Sequence, residues 1–113
     1  MFVLKFMFEW ANINSCVWTV NQEASDKFGG YIVDHDKLDI SKELDTKLKV
    51  LCAEFQSGLD WDNPAGSSLW TEDHWHDFMT RSQEAYNLLK CELGENYILE
   101  DWTDRSTPIA FSI

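Results

Sequence analysis

Basic residues are scarce in this chain. Nine Lys and Arg stand against 20 Asp and Glu, which leaves a net charge of −11 on 113 residues. Such a surface repels phosphate backbones and anionic headgroups, so neither nucleic acid nor membrane is an expected partner. A long apolar run is missing too. The opening FVLKFMFEW is apolar but closed by Glu9, and it is too short to span a bilayer. It also makes a poor secretory leader, because Lys5 interrupts it and no convincing small-residue cleavage site follows. The expected compartment is the cytoplasm. Cysteine is sparse: Cys16, Cys52 and Cys91 are odd in number and widely spaced, with no CxxC pair. That excludes the usual zinc and redox motifs. The three read as reduced thiols that behave as small apolar residues, Cys52 lying between Leu51 and Phe55 on an apolar face. There is no GxSxG, no phosphate-binding glycine loop and no internal repeat,.

Aromatic residues, by contrast, are plentiful. Six Trp and a hydrophobic share of 44% argue against disorder despite the charge,. The length fits a single domain, residues 1–113, able to bury a core without staples,. Residues 2–8 read as a strand, with Phe2, Leu4, Phe6 and Phe8 on one face and Val3, Lys5 and Met7 on the other,. Neither face is strongly polar, which suits a central strand. Asn12 and Asn14 mark a turn,. The β-rich run from Cys16 to Val20 then predicts an antiparallel hairpin.

Asn21 can cap a short helix from Gln22 to Phe28, which Gly29 and Gly30 end,. Residues 31–40 read as a loop or short strand. Ser41 caps a helix over 42–57, with Glu43 and Asp45 in its first turn and Leu44, Leu48, Leu51, Cys52 and Phe55 at helical spacing,. Gly58 stops it, and residues 59–70 (LDWDNPAGSSLW) interrupt the pattern. Thr71 caps a second long helix over 72–93. Its stripe is Trp75, Phe78, Met79, Ser82, Tyr86, Leu89 and Leu93, and Gly94 ends it,. Residues 96–102 read as a last strand, and Ile109 and Phe111 are candidates to pair at a sheet edge. Two long helices and several strands, with little βαβ alternation, predict an α+β fold. The expected arrangement is a small antiparallel sheet with both helices on one face.

Motifs of a kind that carries chemistry are weak. Asp73-His74-Trp75-His76-Asp77 looks like a metal or acid–base cluster. On a helix, however, residues two apart face different ways, and helical zinc ligands stand four apart,. His74 and Asp77 can pair as ordinary surface charges. Asp60-Trp61-Asp62-Asn63 resembles the start of a calcium loop, but the glycine position holds Ala65 and the terminal ligand position holds Thr71,. Asp60 and Asp62 could serve a carboxylate hydrolase with a distant partner, as scattered acids in any acidic chain could. No cofactor, no metal and no catalytic residue is expected.

The distribution of charge is more specific. From Val50 to Thr80 the acids are Glu54, Asp60, Asp62, Glu72, Asp73 and Asp77, with no Lys or Arg among them. From Cys91 to Asp104 they are Glu92, Glu95, Glu100, Asp101 and Asp104, again without a base. An acidic surface serves solubility. Here it coincides with Trp61, Trp70, Trp75 and Trp102, and mixed acid and aromatic surface suits capture of a Lys/Arg-rich partner. Trp75 belongs to the helix stripe and reads as core, and Trp10 and Trp18 are further core candidates. Trp61 and Trp70, which flank the central loop, are the better interface candidates.

The opening FMFEW, the CVW strand, the LDWD-P-S-W loop and the two acidic helices resemble a group of small, mostly uncharacterised bacterial proteins. Some of these lie beside polymorphic or contact-dependent toxins and are similar to their immunity proteins. The resemblance covers most of the chain, but it is a pattern of aromatics and transfers no functional residue. What it implies agrees with the charge, because toxin nuclease domains are commonly basic and their inhibitors acidic. The expected function is non-enzymatic: immunity to a basic toxin domain, such as a nuclease, by stoichiometric binding. The expected contact residues are Asp60, Trp61, Asp62, Trp70, Glu100, Asp101 and Trp102. An acidic adaptor, a nucleic-acid mimic and a small carboxylate hydrolase are the alternatives.

Overall fold

A computed structural model describes residues 1–9, 15–58, 62 and 69–103. Its elements run β1 (Phe2–Phe6), β2 (Val17–Thr19), α1 (Gln22–Phe28), a 3-10 turn at His35–Lys37, α2 (Lys42–Gln56), α3 (Glu72–Leu93) and β3 (Tyr97–Asp101). The fold is α+β, as expected. β1 is the central strand, in the order β2-β1-β3.

The β1–β2 pairing is antiparallel, Lys5 standing opposite Trp18. The β1–β3 pairing is parallel, Lys5 standing opposite Glu100. The sheet is therefore mixed, which corrects the expectation of a purely antiparallel one. Parallel neighbours need a long crossover, usually helical, and the helices between β2 and β3 supply it. The Asn12–Asn14 turn and the Ile109–Phe111 pairing lie outside the described residues.

Each helix begins at the capping residue the sequence offers. Asn21 Oδ1 accepts from the Ala24 N–H and also from the Val3 N–H, each at 3.1 Å. Its Nδ2 donates to the Met1 carbonyl at 2.8 Å. One side chain thus caps α1 and ties it to β1. Gly29 closes α1 at φ +75°, a conformation that penalises any Cβ,. Ser41 and Thr71 accept from the N–H groups of Leu44 and His74.

The core lies between the inner sheet face and the helices. Leu4, Phe6, Phe8 and Val17 meet Leu44, Leu48, Leu51, Cys52 and Phe55 of α2 and Trp75, Phe78, Ala85, Tyr86 and Leu89 of α3. β1 ends at Phe6, two residues before the expected limit, yet Phe8 stays buried. Its ring centroid lies 5.4 Å from that of Phe55 and 5.0 Å from that of Phe78. Burying such side chains drives folding at roughly 1.5–3 kcal/mol each. Tyr86 donates its hydroxyl to the Leu99 carbonyl at 2.7 Å, which fixes α3 against β3. Among the described residues, no helix is long and apolar enough to cross a membrane.

Candidate interaction surface

Alternation along β1 sends Leu4 and Phe6 inward and Val3 and Lys5 to the opposite face. The registers set Trp18 on one side of Lys5 and Glu100 on the other, so Trp18, Lys5 and Glu100 form a row across this outer face. Lys5 is only 7% exposed. Its Nζ donates to the Tyr31 hydroxyl at 2.9 Å and sits 4.2 Å from the Trp102 ring centroid. An ammonium withdrawn from water needs such partners, and an aromatic face supplies one electrostatically. Trp102 Nε1 donates to Glu100 at 3.1 Å, which orients both side chains. Trp18 is buried and donates its indole N–H to the Met7 carbonyl at 2.9 Å.

Apolar side chains surround this row. Tyr31 is 56% exposed, Ile98 46%, and Ile32 and Val20 are similarly open. Ile32 joins the sheet through a single antiparallel bridge to Trp18. Large exposed apolar side chains gathered on one face are characteristic of contact surfaces. Asp101, at the end of β3, is exposed and accepts from the Thr103 N–H and hydroxyl.

The expected contact residues are therefore divided. Glu100, Asp101 and Trp102 lie together at the end of β3, beside the Lys5 row. Asp62 is exposed. Asp60 and Trp61 lie outside the described residues. Trp70 departs from the expectation, because it is 6% exposed and its ring is a core ring. It stacks on His74 at 4.1 Å between centroids, lies 4.6 Å from Trp75, and donates Nε1 to Ser57 Oγ at 2.9 Å. Gly58 makes room for it: a Cβ there would stand 3.1 Å from the indole.

The histidine-rich segment also resolves differently. His74 pairs with Glu54 of α2 at 3.2 Å rather than with Asp77. Asp77 instead pairs with Arg81 one helical turn on, at 3.0 Å. Arg81 also clamps Glu54 with both terminal guanidinium nitrogens, so α2 and α3 are joined by a four-residue charge network,. His76 is exposed beside Glu72. The outer-face roles of Lys5 and Tyr31 were not anticipated. The apolar character of both faces of residues 2–8 was the available signal.

These features define a class: an acidic α+β domain whose sheet turns an aromatic, partly acidic face outward. A family model described as Serratia CdiI immunity protein-like matches residues 3–104, and the chain belongs to that family. A comparison with curated proteins returned no match.

Proposed function

We propose that this chain is an immunity protein that neutralises a cognate, basic toxin domain by stoichiometric binding, without catalysis. The family match over residues 3–104 carries this reading. The net charge of −11 supports the basic character of the partner, since opposite charge speeds encounter and rejects wrong partners,. Acids on the surface steer the toxin in, and aromatic contacts slow its release. Glu100, Asp101 and Trp102 form one contact region. Asp60, Trp61 and Asp62, consecutive in sequence, form a second. A nuclease is the toxin class whose own charge fits best, because a surface that binds phosphate is basic.

The experiment is co-expression with toxin domains of the contact-dependent class, taken from the genome that carries this gene. Cells carrying both should grow, and the purified pair should co-elute at equal stoichiometry. Unrelieved killing, with no complex on mixing, would overturn the reading. Continued turnover by the toxin inside a stable complex would retain binding and remove neutralisation.

A further inference from the structure

Cys16, His35 and Cys52 are far apart in sequence and meet in the core. All three are buried, and their ligand atoms lie within 4.8 Å of one another. Cys16 Sγ stands 3.8 Å from His35 Nε2. Each residue comes from a different part of the fold: the segment entering β2, the 3-10 turn and α2. We propose that these three side chains form a Cys2His site for a soft divalent cation of the zinc type, which staples the 31–40 segment to the sheet and to α2.

The geometry suits that ion. Zinc holds thiolate sulfur at about 2.3 Å and imidazole nitrogen at about 2.0–2.1 Å, so tetrahedral ligand atoms stand roughly 3.5–3.8 Å apart. The Cys16–His35 separation is within about 0.3 Å of the sulfur–nitrogen value, and the widest separation must close by about 1 Å,. His35 Nε2 accepts from the Cys16 N–H at 3.3 Å, so the nitrogen facing the sulfurs is unprotonated; an ion would take that lone pair in place of the Cys16 N–H bond. The ring proton is then on Nδ1, which faces Asp45 Oδ1 at 3.8 Å. These two atoms are buried and have no hydrogen-bond partner.

A carboxylate behind the distal ring nitrogen is the usual outer support of a metal-bound histidine. Drawing the imidazole onto an ion would fix its orientation and give Asp45 a reason to face it. Charge also balances. Two S–H bonds are exchanged for two S–metal bonds, two protons leave to solvent, and a dication with two thiolates and a neutral imidazole adds no net charge to the core. Three protein donors leave a fourth position open, the donor count of a Cys2His site with one exchangeable ligand.

Cobalt(II) is the probe for this site, added to the reduced, metal-free chain. Wild type should bind one equivalent, with thiolate-to-cobalt charge-transfer bands in the near ultraviolet and strong visible bands of tetrahedral cobalt. Cys91→Ser, which removes the exposed thiol, should keep the full signal. Cys16→Ala and Cys52→Ala should each reduce it to background. Zinc should displace cobalt and raise the wild-type thermal midpoint, and a chelator should reverse that rise. This last measurement needs no variant to fold. Folded wild type without charge-transfer bands would overturn the site. So would a midpoint indifferent to zinc, or a signal that survives loss of Cys52 or disappears with Cys91.

Discussion

The ammonium of Lys5 lies 4.2 Å from the ring centroid of Trp102, across the sheet face that points away from the helices. The contact joins the central strand to the residue just after β3, and it satisfies a positive charge that is almost wholly withdrawn from water. Cation–π contacts of this kind are worth about 0.5–2 kcal/mol, more as they are desolvated. A double-mutant cycle with Lys5→Met and Trp102→Leu, read by urea melts, should return a coupling in that range. Additive losses would mean that the two side chains are neighbours without interacting.

Phe78 is fully buried and stands 5.0 Å from both Phe8 and Trp70, between centroids. It joins the sheet, α3 and the approach to α3. Phe78→Ala should cost about 3–5 kcal/mol in a denaturant melt, since the cavity it leaves is lined by rigid rings. A loss under about 1 kcal/mol would mean that the surrounding rings collapse into the space.

Glu54 connects α2 and α3 and titrates accordingly. Hydrogen bonds from Arg81, and then from His74, hold its carboxyl below the ordinary value of 4.5. A carboxylate with a depressed folded pKa stabilises the fold above its unfolded pKa and loses that contribution as pH falls through the folded value. Stability should therefore decline from about pH 5 downward, and Glu54→Gln should flatten that limb. The difference at neutral pH should be about 1 kcal/mol, because Arg81 reaches solvent,. Chemical melts of both proteins across that range make the comparison. An unchanged acid limb in the variant would assign the acid sensitivity to other carboxylates.

Local signals made most of this fold legible in advance. α3 was framed by Thr71 and Gly94 and by a stripe whose residues Trp75, Phe78, Ser82, Tyr86 and Leu89 are buried. α1 and α2 were framed in the same way by Asn21 and Ser41. The direction of β3 was not legible, because pairing between residues 2–6 and 97–101 is set by the crossover and not by either strand's composition. The burial of Trp70 is not legible for a related reason. The residue lies outside any periodic segment, so nothing local distinguished a displayed ring from one folded back onto His74 and Trp75. The Cys16–His35–Cys52 cluster escaped because metal motifs are recognised by short spacings, and these three are assembled by tertiary structure. In the candidate surface, the Glu100–Trp102 segment could be read from acids and Trp in one run. Its connection to Lys5 and Tyr31 needed the strand register.

The steering model makes the sharpest demand on the proposed function. If acids guide a basic toxin, association should slow as salt rises, while dissociation changes less. Charge reversal at Asp60, Asp62, Glu100 or Asp101 should lower the on-rate where those residues face the partner. Asp101 carries a second duty, since it accepts from Thr103, so its reversal needs a melt as a control. Truncating Trp61 should act on the off-rate, because an interface anchor is desolvated in the complex; truncating Trp102 also removes the Lys5 contact, so its off-rate needs the same melt control. Trp70→Ala should act differently, lowering stability by about 3–5 kcal/mol as loss of a core ring does. A binding defect in that variant should then follow its folded fraction. Stopped-flow mixing with the cognate toxin domain, at two salt concentrations, separates these effects. Association that ignores salt and tolerates all four reversals would sink the steering model and leave the acidity to solubility alone.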